Sequence, residues 1–346
     1  MRYTLPPVAG LSTLPFDAII DVRSPSEFAE DHMPGAINLP VLSDKERATV
    51  GTIYVQDSPF KARKIGAALV ARNAAHHLEH GLMGMDGGWK PLVYCWRGGQ
   101  RSGSFTTILR QVGWRAEVVE GGYKAYRRLV RQALYNEPFA PSVMLLDGNT
   151  GSAKTDILAA LRARGVQVID LEGLANHRGS LFGARAGGQP SQKAFESALA
   201  QVMAGLDPLR PVVIEAESSK IGRLVVPPML WAAMRAAPRL EIQAPLAARA
   251  RFLAAAYSDI VEDKARLLET LDKLRTYHAA ETIAQWSKLA ESGEMEALAA
   301  ALMSEHYDSR YGKARADKTK VTPLPVAGLG AAGIEAVAAQ IDALLA

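Results

Sequence analysis

Two stretches of the 346-residue chain combine residue types that reactive chemistry needs side by side. The first is YCWRGGQRSGS, residues 94–104, which holds the single cysteine, Cys95, followed by Trp96, Arg97, Gly98, Gly99, Gln100 and Arg101. A cysteine reacts as its thiolate, and a thiolate needs positive potential around it. A strand ending at Cys95 and a helix starting near Ser102 leave a tight turn whose two glycines let the amide N–H groups point inward. With a helix N-terminus, Arg97 and Arg101 behind it, such a nest stabilises an anion on sulfur, and cysteines in comparable settings titrate at about 3.5–7.5. The alternative is a buried apolar cysteine, which gives no reason for the surrounding glycines and arginines.

The second stretch is Gly148, Asn149, Thr150, Gly151, Ser152, Ala153, Lys154 and Thr155. It fits the phosphate-cradling pattern G-x-x-x-x-G-K-[ST], with Ala153 where glycine usually precedes the lysine. Lys154 reaches terminal phosphates, and Thr155 meets Mg2+ if one is used; the sequence leaves the need for Mg2+ open. Alanine is tolerable at 153 if that residue has helical dihedrals. Two acidic strand ends could serve this site, Asp170 with Glu172 and Glu215 with Glu217, because ends of parallel strands gather near a phosphate loop. Either pair orients metal, water or a donor group, or Asp170 and Glu215 cap helices; both readings stay open. Residues 170–183, with Asn176, His177, Arg178 and Ser180, and 189–199, starting at Gln189, are denser in polar groups than packing requires. His177 is read as a general acid or base, or as a simple hydrogen-bonding group.

These residues need elements to position them. An apolar run at 16–22 reads as a strand leading into the capping box Ser24-Pro25-Ser26-Glu27. A helix over 60–80, a buried strand at 91–94, a helix at 102–111, a strand at 116–119 and a helix at 127–135 follow. The Pro-containing segment 136–141 breaks the pattern and reads as a linker. Beyond it come a continuous apolar strand at 143–146, a helix at 154–163, strands at 166–170, 211–215 and 240–242, a helix at 191–204, and an almost wholly helical stretch from 246 to 306. The fold class is α/β with parallel sheets: one domain over 1–135, a second over 136–346 with a helical insertion at about 246–306.

Composition is that of a globular protein, 48% hydrophobic and 22% charged. One cysteine rules out an internal disulfide framework and suits a reducing compartment. Arg2 and two early prolines leave no apolar signal region, and no apolar run reaches about 18 residues. A cytoplasmic protein without membrane contact is expected. The net charge of +4 is compatible with a polyanionic partner. His76, His77 and His80 read as cations suited to a helix C-terminus, and no metal site is expected. Tyr257, Tyr277, Trp286 and Tyr307 read as core of the helical part.

Asp21-Val22-Arg23, Glu27-Phe28, residues 32–38, Cys95 with Arg97 and Arg101, and Gly121-Gly122-Tyr123 together resemble a rhodanese domain over about residues 10–130. The resemblance implies that Cys95 accepts a sulfane sulfur or its selenium analogue, held by the loop amides with Arg97 and Arg101. It leaves Asp21 and Arg23 to fix the strand end, and Trp96 either to cover the sulfur as a lid or to pack, with packing the preferred reading. With the phosphate loop, 170–183, 189–199 and Glu215-Ala216-Glu217-Ser218 downstream, nearly the whole chain is similar to the bacterial tRNA 2-selenouridine synthases. Ala216 stands where members often carry Asp. The resemblance implies a transferase acting on the wobble uridine in the anticodon arm of tRNA. In it, a 2-thiouridine sulfur is alkylated by geranyl diphosphate, and the S-geranyl group is displaced by selenium from selenophosphate. The phosphate loop then seats the diphosphate without nucleotide hydrolysis, no cofactor is tightly bound, and a selenophosphate-supplying enzyme is a possible partner. Arg178, Arg185, Lys193 and the basic run 313–320 are candidates to meet RNA phosphates. The rival readings are a rhodanese-type sulfurtransferase fused to an NTP-dependent kinase or ATPase, and a non-enzymatic module that senses phosphate or chalcogen.

Overall fold

A computed structural model describes residues 1–180, 182–256, 263–308 and 320–345. The chain divides into two compact units, Met1–Pro138 with Pro190–Gly205, and Phe139–Gln189 with Leu206–Ala346. The first boundary falls inside the proline-containing segment expected to be a linker.

The first unit is built on a parallel five-stranded sheet. Its strands are β1 (Arg2–Tyr3), β2 (Ala18–Asp21), β3 (Ala36–Asn38), β4 (Pro91–Tyr94) and β5 (Glu117–Val119), in the order β1-β5-β4-β2-β3. All four residues of β4 are buried, as a middle strand covered on both faces requires. Ile20, Val22, Val93, Phe105 and Leu109 form its core with Trp89 and Trp114. Ser24 and Glu27 form the expected capping box on the helix Pro25–Glu30. The sequence reading missed the helix Asp44–Gln56, which has its own capping box and no buried residue. An element without an apolar stripe leaves no period to detect.

The helix Gln192–Ala204 is a correction to the expected domains, since it packs in the first unit rather than the second. Buried polar groups hold it there. Ser197 donates to Asp31 at 3.0 Å, and Asp31 also accepts from the Tyr123 hydroxyl at 2.8 Å. Glu196, itself buried, pairs with Arg127 and accepts from Tyr135 at 2.8 Å. Lys193 pairs with Glu30 at 2.6 Å, so the lysine expected to meet RNA is held by a carboxylate of the first unit.

The second unit carries another parallel five-stranded sheet, β6 (Val143–Gly148), β7 (Gln167–Ile169), β8 (Val212–Glu215), β11 (Arg239–Gln243) and β12 (Val321–Pro325), ordered β12-β11-β6-β8-β7. A short antiparallel pair, β9 (Lys220–Ile221) with β10 (Leu224–Val225), lies outside it. Strand β12, rich in proline, had not been expected; its place at the sheet edge is where proline is tolerated. Leu146, Ile157, Leu161, Val213 and Ile242 form the core beside the C-terminal helix Ala331–Leu345.

The helical insertion is a set of separate short helices, including Leu246–Ala256, Lys264–Asp272, Ala280–Ser292 and Met295–Leu302. Trp286 is buried in its core with Leu271 and Leu298. Tyr307 packs at that core's margin, while Tyr277 is 61% exposed, against the expectation that it is core. Tyr257 and positions 313–319 of the basic run lie outside the described residues.

Candidate active site

In each unit the candidate loop follows the middle strand of the sheet. In the first unit, β4 ends at Tyr94 and the helix Gln100–Val112 begins five residues beyond Cys95. Cys95 is buried. Burial pushes its thiol up. The Ser102 hydroxyl, the Ser102 amide, the Arg101 charge and the Arg97 amide act in the opposite sense and win, so the thiol titrates below its ordinary value. The Ser102 hydroxyl donates to Cys95 Sγ at 3.2 Å. The sequence reading used Ser102 only as a helix start. Its place in the first turn of the helix that follows the loop was the available signal.

The loop closes against the turn after β5. The Tyr123 amide donates to the Cys95 carbonyl at 2.9 Å and the Lys124 amide to the Trp96 carbonyl at 3.1 Å. Gly98 and Gly122 are obligatory here. Both have positive φ, and a Cβ would lie 2.4 Å from the Val119 carbonyl oxygen at Gly98 and 2.2 Å from the Cys95 carbonyl oxygen at Gly122. Trp96 is half-buried against Tyr123, with ring centroids 5.3 Å apart. Arg97, Gly99 and Gln100 are exposed. Arg101 pairs with Glu27 at 2.7 Å, so its charge reaches the thiol while its guanidinium is engaged by a carboxylate. Glu27 lowers the positive potential of the loop and also fixes where it sits. Asp21 and Arg23 form a wholly buried pair at 2.6 Å beside the strand end. Arg23 also lies 4.0 Å from the centroid of the Tyr123 ring.

In the second unit, β6 leads through Asn149–Ala153 into the helix Lys154–Ala163. Thr150 to Thr155, Glu172, Arg178, Arg185 and Glu217 line a cavity of about 330 Å3. Lys154 Nζ donates to the Gly148 carbonyl at 3.3 Å, and Asn149 accepts the Ser152 amide at 3.2 Å. The Ser152 hydroxyl is buried and has no partner among the described residues. Buried Arg249 was not anticipated. It donates to the Thr150 carbonyl at 3.1 Å and pairs with Asp308 at 2.7 Å, tying the loop to the helical insertion. Ala153 departs from expectation. Its φ of 57° and ψ of 28° are left-handed, so the alanine occupies a conformation that glycine takes without cost.

The acidic strand ends separate into two roles. Asp170 caps the helix Leu171–Leu174 by accepting the Gly173 amide at 2.7 Å. Glu215 is buried and accepts the Glu172 amide at 2.6 Å; burial, then Asp170 and Glu172, push its carboxyl well above the usual range. Glu172 and Glu217 face the cavity. Burial and the neighbouring Glu217 raise the Glu172 carboxyl against the pull of Lys154 and Arg185. Thr155 donates to Glu172 at 3.5 Å. Among the described residues no group of three His, Cys, Asp or Glu side chains is placed to hold a metal ion.

Three other candidates brace loops outside the cavity lining. Asn176 donates to the carbonyls of Ala186 and Gly188, each at 2.9 Å. His177 Nδ1 accepts the Gly179 amide at 3.1 Å, and its bridge to Ala184 fixes the loop. Burial, with Arg185 and Arg178 nearby and Glu217 opposing, holds the His177 imidazole below its ordinary value. Gln189 donates to the Ile221 carbonyl and accepts the Arg223 amide, both at 2.9 Å.

Comparison with known proteins bears on both units. Residues 9–129 match the rhodanese-like domain model, and residues 141–287 match the model described as the tRNA 2-selenouridine synthase AAA domain. The tRNA 2-selenouridine synthase of Psychromonas ingrahamii is 35% identical over 250 residues, covering 72% of this chain and 67% of that protein. The chain belongs to the tRNA 2-selenouridine synthase family. The enzyme of the same name from Hahella chejuensis is 38% identical over 249 residues, covering 67% of this chain and 61% of its own length. The chain thus matches about two thirds of the length of these family members. A rhodanese-related protein of Thermoplasma volcanium covers 32% of this chain and 76% of its own, at 20% identity and a TM-score of 0.21. No helix among the described residues is long and apolar enough to cross a membrane.

Proposed function

We propose that the protein converts a wobble 2-thiouridine of tRNA to 2-selenouridine by way of an S-geranyl intermediate. In the first step the thione sulfur forms a C–S bond to the allylic carbon of geranyl diphosphate, and diphosphate departs. In the second, the selenium of selenophosphate attacks the same ring carbon, geranylthiolate departs, and water cleaves the P–Se bond to release phosphate. Alkylation turns a poor leaving group into a better one, which is the chemical reason for the detour.

One observation carries this reading. The polar cavity at the phosphate loop shares Thr150, Ser180 and Leu253 with a second, apolar cavity lined by Phe182, Leu267, Met295, Leu298 and Leu302. A ligand with a charged head and an apolar tail suits that pair better than a nucleotide does. The apolar cavity is narrow, about 60 Å3, so a prenyl chain requires Met295 and the leucines to give way, as flexible side chains can. At the head, Lys154, the loop amides and the Ser152 hydroxyl stabilise the charge that develops on the departing diphosphate. Cys95, with its lowered thiol, lies in the loop that holds the selenium donor in the first unit, its thiol engaging the donor without a change of oxidation state.

The test is an assay of S-geranyl formation on thiolated tRNA by purified wild type and Lys154→Ala, with and without ATP. The expected result is a loss of about 10²–10³ in rate for the variant and no ATP requirement. An active variant or an absolute need for ATP overturns the assignment of this loop and favours the kinase or ATPase reading.

A further inference from the structure

The helix Gly122–Arg131 follows directly on the turn that closes the Cys95 loop. Its sequence GYKAYRRLVR has two faces. Tyr123, Tyr126 and Val130 are buried, at the spacing of a core-facing stripe. Lys124, Arg128 and Arg131 are exposed and lie at i, i+4 and i+7, so they share the opposite face. They line a groove of about 680 Å3, to which Arg127, Lys193 and Trp96 also contribute. Among the described residues no carboxylate lines that groove. Arg127 and Lys193 are held by Glu196 and Glu30, whereas Lys124, Arg128 and Arg131 form no ion pair among the described residues.

Helix electrostatics alone do not account for this face. Arg128 and Arg131 in the last turn suit the helix dipole, but Lys124 sits in the first turn, where a cation is unfavourable. Like charges at i, i+4 also oppose each other. Lys124 in the first turn, and the like charges it shares this face with, cost the helix stability that its own dipole does not return.

We propose that this groove docks the RNA backbone of the tRNA substrate and so brings the anticodon arm to the Cys95 loop. The inference rests on the tRNA reading above. The helix spreads the three cations over about 10 Å, at 1.5 Å per residue. A stacked nucleic-acid strand presents about three phosphates over that length, at 3.4 Å each. Trp96, half-buried against Tyr123, puts an aromatic ring at the groove beside the residue preceding it, the reactive cysteine. Unpaired bases of RNA loops stack on such rings.

The experiment measures binding of full-length protein to a 2-thiouridine-containing tRNA at several salt concentrations. Wild type is compared with the triple variant Lys124→Gln, Arg128→Gln, Arg131→Gln. Loss of three phosphate contacts should reduce the slope of log affinity against log salt by about 2. The rate of Cys95 alkylation by iodoacetamide should stay at the wild-type value, which shows the first unit intact. A variant with unchanged affinity and slope overturns the groove while leaving the tRNA reading standing. A wild type with no salt-dependent affinity for the tRNA sinks that reading itself. A variant that keeps tRNA binding but loses binding to polyglutamate assigns the groove to an acidic protein and overturns the proposal.

Discussion

The Cys95 loop and the Lys154 loop occupy the same place in their units, at the C-terminal end of the middle strand of a parallel sheet and at the N-terminus of the following helix. Both turn through glycines into a helix N-terminus, but they are provisioned differently. The cysteine loop carries its ionisable group on its own chain, and its donors already point at it: the Ser102 hydroxyl and amide and the Arg97 amide. Its arginine is balanced by Glu27 and its neighbouring buried charges by each other. The phosphate loop instead faces two carboxylates, Glu172 and Glu217, in a cavity shared with Lys154, Arg178 and Arg185. One nest is finished without a partner, while the other has its balance of charge set by what binds.

The largest expected effect separates the two loops outright. Cys95→Ala should abolish selenium insertion and leave S-geranyl formation largely intact, as read by mass spectrometry of tRNA nucleosides. A variant that makes normal 2-selenouridine would remove the chalcogen role from the first unit. Ser102→Ala tests how the first nest is finished. Removing a hydroxyl that donates to the thiolate leaves burial less opposed, so the thiol must rise. A hydrogen bond to a charged group is worth about 1.5–3 kcal/mol, or roughly one to two pH units. The pH midpoint of Cys95 alkylation should move up by that amount; an unmoved midpoint shows that the amides and Arg101 suffice.

Both nests were legible in the sequence because each makes demands that few residues meet. Gly98 and Gly99 beside a cysteine, and a lysine-threonine pair after a glycine loop, are local patterns. The helix Gln192–Ala204 was misassigned because what holds it is not local. Its amphipathic period states that it packs but not on which sheet, and the answer lies in Ser197 meeting Asp31 and Glu196 meeting Arg127. The same holds for Arg249, whose partners Thr150 and Asp308 are remote in sequence. Polar density at 170–189 marked the right region but did not separate Glu172 and Arg185, which face the cavity, from Asn176, His177 and Gln189, which brace the loops around it.

The charge imbalance of the second nest should show in its stability. Glu172 has a folded-state carboxyl raised above its unfolded value, so its contribution is complete below about pH 4 and is lost as pH rises through the folded value. Buried Glu215 adds the same sign, and His177, whose folded value is lowered, adds the opposite one near neutrality. Glu172→Gln should therefore raise the thermal midpoint at pH 8 relative to pH 5 and flatten the decline, leaving the slope due to Glu215. An identical pH profile in the variant would mean that Lys154 and Arg185 already neutralise the carboxylate.

The smallest expected effect probes the backbone of the same nest. Ala153 is held in a left-handed conformation that costs an L-residue about 1–2 kcal/mol and glycine nothing. Two terms oppose its replacement by glycine. The Ala153 methyl is buried in the core cluster with Ile157 and Ile242, and removing it forfeits about 0.8 kcal/mol. Glycine also gives the unfolded chain more freedom, at about 0.4–1 kcal/mol. Gain and loss are nearly equal, so Ala153→Gly should change unfolding stability by less than about 1 kcal/mol in denaturant titration. Because the loop keeps its dihedrals, S-geranyl formation should stay within a few-fold of wild type. Destabilisation well beyond that bound would mean that the methyl packs more tightly than the strain it costs, and that the alanine supports the loop. The Cys95 loop allows no such exchange: at Gly98 a side chain would meet backbone at 2.4 Å, so Gly98→Ala should disrupt that nest where Ala153→Gly barely disturbs the other.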